Sequence, residues 1–168
     1  MAKILVTGGA GFIGSHVVDI YLEAGHTVVV VDNLATGKRE NVNPAAAFYE
    51  VDIRNEKLGE VFERERPDVV NHHAAQASVP LSVARPGYDA EVNILGSLNL
   101  LEQARQHGVQ RVIYASTGGA VYGEPQYLPC DEDHPARPLS PYGASKHTVE
   151  HYLQLYGQLY GLGYTILR

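Results

Sequence analysis

Eight residues near the amino terminus, Thr7-Gly8-Gly9-Ala10-Gly11-Phe12-Ile13-Gly14, constrain this chain more than any other stretch. The apolar run Ile4-Leu5-Val6 before them reads as a buried strand. The residues after them open a helical pattern, with Ile13, Val17, Ile20, Tyr21 and Ala24 expected on one face and Gly25 closing it. Gly8, Gly11 and Gly14 therefore lie where strand turns into helix, baring backbone N–H groups at the helix's positive end. That arrangement suits the pyrophosphate of a dinucleotide, because the turn admits main chain close to phosphate and the helix end attracts its charge. The spacing, G-x-x-G-x-x-G, departs from the G-x-G-x-x-G fingerprint, and a glycine-rich turn without a ligand is the plainer alternative.

A strand–helix rhythm continues from there. Thr27 to Val31 is a β-branched run expected to be buried on both faces, which is the mark of a parallel sheet. It ends at Asp32, 18 residues beyond Gly14. An acid at an offset of about 20 residues is placed to hold ribose hydroxyls and to repel a 2′-phosphate, favouring NAD over NADP. Capping of a turn by the same aspartate is the alternative, and Lys38 and Arg39 downstream act against the preference. Ala47 to Val51 reads as a third strand, Asn55 to Arg64 as a helix with Leu58, Val61 and Phe62 inward, and Val69 to His72 as a fourth strand. The small residues of His73-Ala74-Ala75-Gln76-Ala77-Ser78 follow at a strand's carboxyl end, the edge where an open α/β sheet binds ligands. His72 and His73 are adjacent and so point to opposite faces, and no third ligand stands at metal spacing, so no metal site is expected.

A long helix is expected from about Asp89 to His107, with Val92, Leu95, Leu98, Leu101 and Ala104 inward and Ile94 and Leu100 widening the stripe. Asn93 is the polar exception on that side, placed to hold backbone near a site. Gly108 ends the helix, and Arg111 to Ala115 forms a fifth strand. A helix from Pro141 to about Gly161, with Tyr152, Leu155, Tyr156 and Leu159 on one side, and a sixth strand, Tyr164 to Arg168, complete the pattern. At 168 residues this is one α/β domain built on a doubly wound parallel sheet. A net charge of −6 without long runs argues against a nucleic-acid surface. One cysteine, Cys130, fits a reducing compartment, and no apolar run approaches membrane-spanning length, so a cytoplasmic protein without a membrane partner is expected.

The chemistry is expected after the fifth strand. Ser116 and Thr117 place two hydroxyls at its carboxyl end. Ser140 and Pro141 then read as the N-cap and first residue of a helix carrying Tyr142 and Lys146 one turn apart. A tyrosine acting as general base needs its pKa moved from about 10 towards about 7, worth about 4 kcal/mol. A nearby ammonium and a positive nicotinamide ring both favour the phenolate, and the ammonium can also donate to ribose hydroxyls.

Taken together, Thr7 to His16, Asp32-Asn33-Leu34, His73-Ala74-Ala75, Ser116-Thr117 with Val121-Tyr122-Gly123, and Ser140 to Lys146 resemble the extended short-chain dehydrogenase/reductase family. The pattern is most similar to its UDP-glucose 4-epimerase branch. The resemblance implies a Rossmann-like sheet over residues 1–168 and tightly held NAD. It implies contacts to the cofactor from Phe12, Ile13, the Asp32 to Gly37 stretch (Asn33, Leu34, Thr36 and Gly37 with it), Asp52, Ile53, and His73, Ala74, Ala75, Gln76 and Ala77. It implies further that Tyr142 takes the proton of the sugar 4-hydroxyl as hydride leaves C4, that Lys146 holds the ribose, and that Thr117 or Ser116 bonds the sugar oxygen. Many members carry the hydroxyl where this chain has Gly118, which leaves the choice between the two open. Dehydratases of the family place an Asp-Glu pair where this chain has Gly119-Ala120, which favours the epimerase over the dehydratase. The resemblance implies a smaller substrate domain after the sixth strand, so the chain is expected to be the cofactor half, binding NAD but epimerising UDP-glucose or UDP-galactose poorly or not at all. A non-catalytic NAD-binding module and a nucleotide-sugar reductase are the alternatives. The resemblance also implies a homodimer pairing the helices of residues 89–107 and 141–160.

Overall fold

The computed structural model describes residues 1–168 and holds six parallel strands. These are β1 (Lys3–Thr7), β2 (Thr27–Asp32), β3 (Ala47–Glu50), β4 (Val69–His72), β5 (Arg111–Ala115) and β6 (Gly163–Leu167). Their order across the sheet is β3-β2-β1-β4-β5-β6, with Thr7 opposite both Val31 and His72. The order reverses between β1 and β4, which opens a crevice at the carboxyl ends of those two strands. Alternation along β1 and β2 sorts the core into two layers. Ile4, Val6, Val28 and Val30 meet α1 (Phe12–Glu23) on one face. Leu5, Val29, Val31, Val70 and Val112 meet α2 (Lys57–Glu65) and the helices that follow on the other.

Three helices rotate differently from the hydrophobic stripes expected of them, each for a polar or steric reason. In α1 the buried residues are Gly14, Ser15 and Val18, while Ile13 and Ile20 are 64% and 62% exposed and Ala24 also faces out. Gly14 sets this phase, because a Cβ there would overlap the carbonyl oxygen of Gly8. Residue 14 must face the turn, and Val18, one helical turn on, therefore meets the sheet.

The expected helix from residue 89 is in fact α4 (Pro86–Ala90), a π-helical turn at Glu91–Leu95 and α5 (Gly96–Gln106). Leu100, Leu101 and Ala104 are buried as expected, but Leu95 is exposed. In the first half the inward positions are the polar Asp89, Asn93 and Ser97, whose hydrogen bonds override the apolar stripe.

In α7 (Pro141–Tyr160), Lys146, Val149, Glu150, Leu153 and Tyr156 face the sheet, and Leu155 and Leu159 are exposed. Ser140 caps its start as expected, accepting from the Gly143 N–H at 3.1 Å. Two short helices have no counterpart in the sequence reading. These are α3 (Val79–Ala84), capped by Ser78, and α6 (Gly118–Val121), capped by Thr117. No helix is long and apolar enough to cross a membrane.

Candidate active site

The crevice at the strand ends is a cleft of about 650 Å³, with the glycine turn on one side and Tyr142 and Lys146 on the other. Gly8 takes a left-handed φ of +70° and donates its N–H to the Val31 carbonyl at 2.9 Å, locking the turn onto β2. Gly11 precedes α1, and neither a capping side chain nor an acid occupies the helix's first turn. Its leading N–H groups are therefore free for an anion. Asp32 fastens this turn to the next loop, with Oδ2 accepting from the Ala10 N–H at 3.0 Å and Oδ1 from the Leu34 N–H at 2.8 Å. Both oxygens keep further lone pairs, and the residue lines the cleft. Beside it, Asp52 accepts from Asn33 at 2.8 Å and from both Nε and Nη2 of Arg54, which hold its carboxyl far below the usual carboxylate range.

The wall beside the glycine turn is main chain after β4, so close that a Cβ on Gly8 would stand 2.8 Å from Ala74 N, and a buried hydrogen-bond chain holds it. The Ala74 N–H donates to Thr7 Oγ1 at 3.1 Å, which lies 2.7 Å from His72 Nδ1. His72 Nε2 lies 2.9 Å from Ser97 Oγ, and Ser97 donates to the Asn93 carbonyl at 2.6 Å. Since Ser97 spends its hydrogen on a carbonyl, His72 must donate from Nε2 and accept at Nδ1 from Thr7, so every proton in the chain is assigned. The ring stays neutral: burial first, then the charge of Lys146, pulls its pKa down to about 3. Next along, the Asn93 amide pairs with the Gln76 backbone in both directions, at 2.8 and 2.9 Å. Small residues from His73 to Ala77 thus present a fixed edge to the cleft. His73 faces it from the side opposite His72, and its buried Nε2 has no partner within the protein. No cluster of three or more His, Cys, Asp or Glu is arranged to hold a metal ion.

Tyr142 and Lys146 line the same cleft. Lys146 is buried, its Nζ 4.3 Å from the centre of the Tyr114 ring, and burial lowers its pKa to about 8 against the pull of Glu150 and Asp89. Burial, and then the charge of Asp89, raises the pKa of Tyr142 above the ordinary 10, so the lysine alone does not prime it. Ser116 lines the cleft but donates its hydrogen to Glu150 Oε1, whereas Thr117 lies outside the lining, accepts the Ala120 N–H at 3.4 Å and keeps its hydrogen.

Of the other residues singled out from the sequence, Gly8, Gly11, Phe12, Ile13, Gly14, Asn33, Thr36, Gly37, Asp52 and Ile53 line the cleft. Leu34 and Asn93 do not: Leu34 packs on the α1 layer, and Asn93 stands behind the wall. The sequence reading missed Leu81, Tyr88 and Val92, which close the cleft from α3, α4 and the π-helical turn. The Ser78-Val79-Pro80 cap pattern was the available signal for the first.

Glu150 is 1% exposed and was also missed. It accepts from Ser116, from His147 Nδ1 at 3.1 Å and from Arg168 at 3.1 and 2.7 Å. Burial raises its pKa, but these donors outweigh burial and the net shift is downward. Arg168→Ala leaves a buried carboxylate without its cation, and unfolding free energy at neutral pH is expected to drop by about 3 kcal/mol. Because the lowered pKa adds stability only above the ordinary 4.5, the gap between parent and variant closes as pH falls below that value. Urea denaturation at neutral and acidic pH measures both, and a constant gap would contradict the assignment.

The NAD dependent epimerase/dehydratase family model matches residues 4–168. The crystal structure of a Thermus thermophilus UDP-glucose 4-epimerase in complex with NAD superposes with a TM-score of 0.97 at 56% identity, covering 99% of this chain and 54% of that one. A Thermotoga maritima UDP-glucose 4-epimerase solved with UDP-glucose gives 0.97 at 52% identity, over 99% and 54%. A Mycolicibacterium smegmatis UDP-glucose 4-epimerase is 45% identical over 165 residues, 95% of this chain and 53% of that protein. The chain therefore spans about half the length of the relatives it matches.

Proposed function

This chain belongs to the NAD dependent epimerase/dehydratase family, and on that premise we propose that it is the cofactor-binding and catalytic part of a UDP-glucose 4-epimerase. The observation that carries the reading is one cleft holding a bare helix start, an acid at the end of β2 and a Tyr142–Lys146 pair. The donor set fits NAD: the first turn of α1 would hold the pyrophosphate, Asp32 a ribose, the unpartnered His73 Nε2 a polar edge, and Lys146 the second ribose. The Asp32 carboxylate would repel a 2′-phosphate, which favours NAD over NADP.

When bound, NAD would supply reversible acceptance of hydride from a sugar carbon and the positive charge of its oxidised ring. Tyr142 Oη takes the proton of the sugar hydroxyl and later returns it. Lys146, an ammonium below about pH 8, stabilises the phenolate and donates to hydroxyls. Ser116 lines the cleft but is free to accept only, whereas Thr117, outside the lining, keeps a hydrogen that would serve the sugar oxygen. Gly119 and Ala120 offer no acid for elimination, which favours epimerisation over dehydration. The exposed Leu95, Leu155 and Leu159 support a homodimer through the π-helical turn ahead of α5 and through α7.

The oxidative half-reaction tests the assignment. Mixing NAD-saturated protein with excess UDP-galactose is expected to raise the near-ultraviolet absorbance of reduced nicotinamide. Bound NAD that no UDP-sugar reduces would overturn the assignment of catalysis to this chain and leave it a cofactor-holding module.

A further inference from the structure

Asp89 carries no cation and no solvent, yet its carboxylate lies at the centre of the polar contacts behind the cleft. It is fully buried in α4. Oδ2 accepts from Ser145 Oγ at 2.6 Å, and Oδ1 accepts from Gln76 Nε2 at 2.8 Å and from Asn93 Nδ2 at 3.0 Å. Ser145 stands immediately before Lys146 on α7, one turn after Tyr142. Gln76 and Asn93 belong to the wall and to the π-helical turn behind it. One carboxylate therefore joins the three segments that bound the ligand-facing side of the cleft. All its donors are neutral, so its negative charge stays uncompensated by contact, while Lys146 is a buried positive charge with no hydrogen-bond partner among the protein's groups.

We propose that Asp89 is a positioning residue for Lys146: through Ser145 it fixes the face of α7 that carries Tyr142 and Lys146 against the wall, and it sets a buried carboxylate behind the ammonium. This rests on the reading of the cleft as a nicotinamide-cofactor site. Burial works against the ammonium, and the nearby carboxylates, Glu150 and Asp89, work for it. The other groups facing the lysine are the neutral His72 and His73 from β4 and its loop, Tyr114 from β5 and Tyr142 on α7. None of these supplies a negative charge below the phenol range. Asp89 also raises the Tyr142 pKa. The same carboxylate that favours the charged lysine thus works, after burial, against the phenolate.

Asp89→Asn keeps the shape and removes the charge, and Ser145→Ala keeps the charge and removes one bond. Two readouts separate them: NMR of side-chain-labelled lysine, which follows the Lys146 protonation midpoint in the ligand-free protein, and the affinity for NAD from neutral to alkaline pH. Asp89→Asn is expected to lower the Lys146 midpoint by about half a pH unit or more, and the alkaline loss of NAD affinity to begin correspondingly earlier. Ser145→Ala is expected to keep the parent's midpoint and to weaken NAD about fivefold at neutral pH, the effect of one lost hydrogen bond. An unchanged midpoint in Asp89→Asn would reduce Asp89 to packing and overturn the proposal. Should that variant not fold, parental NAD affinity in Ser145→Ala would overturn it instead. A parent that binds no NAD would sink the cofactor reading, while the NMR midpoint still decides the role of Asp89.

Discussion

Tyr142→Phe is expected to slow reduction of bound NAD by UDP-galactose about a thousandfold, the usual scale for loss of a general base, while leaving NAD affinity within about twofold. The two effects separate because the phenyl ring keeps the packing of Tyr142 and loses only its oxygen. That oxygen has no partner within the protein's own hydrogen-bond network, and the residue is half-buried at the edge of the cleft, so its removal strands no buried group. The rate suffers because no other group at that edge accepts a proton as well. Ser116 has given its hydrogen to Glu150, Thr117 faces the Ala120 N–H, and His73 is driven towards neutrality by burial and the charge of Lys146. A burst of reduction at parental rate in Tyr142→Phe, read by stopped-flow absorbance, would assign the base elsewhere.

Gly14→Ala is expected to weaken NAD binding at least about a hundredfold. The added Cβ overlaps the Gly8 carbonyl oxygen and stands 2.8 Å from the Gly8 carbonyl carbon and 3.0 Å from Gly9 Cα. All are backbone, so nothing yields but the turn itself or the axis of α1. Either movement carries the leading N–H groups of α1 away from the cleft, and the anion site depends on them. Gly25 offers the control, since a Cβ there meets nothing within 4 Å, although its φ of +82° adds local strain. Gly25→Ala is expected to lower stability modestly while preserving NAD affinity. Calorimetric titration of both variants measures the difference, and comparable affinity in Gly14→Ala and the parent would show that the helix start does not bind the cofactor.

The strands were legible because buried parallel strands are short continuous apolar runs, and each expected strand lies within one or two residues of its observed position. The existence of the long helices was legible, but their rotation was not. A hydrophobic stripe predicts the buried face only when apolar contact decides it. Here a steric contact at Gly14 and polar contacts at Asp89, Asn93, Ser97 and Glu150 decide it instead. Ile13, Ile20, Leu95, Leu155 and Leu159 are left outside as a result. The residues facing the cleft were largely legible from glycine spacing and strand ends. The residues behind it were not, because a buried carboxylate such as Asp89 or Glu150 resembles a surface helix residue until its partners, 56 and 34 positions away, are brought beside it.

The account stands on the cleft being built for NAD, and an equilibrium titration of the purified protein with NAD and NADP side by side tests this most directly. It predicts saturable binding of one NAD per chain and NADP weaker by at least about a hundredfold, since the Asp32 carboxylate at the end of β2 would repel a 2′-phosphate. Equal affinity for the two, or no saturable binding of NAD, would contradict it.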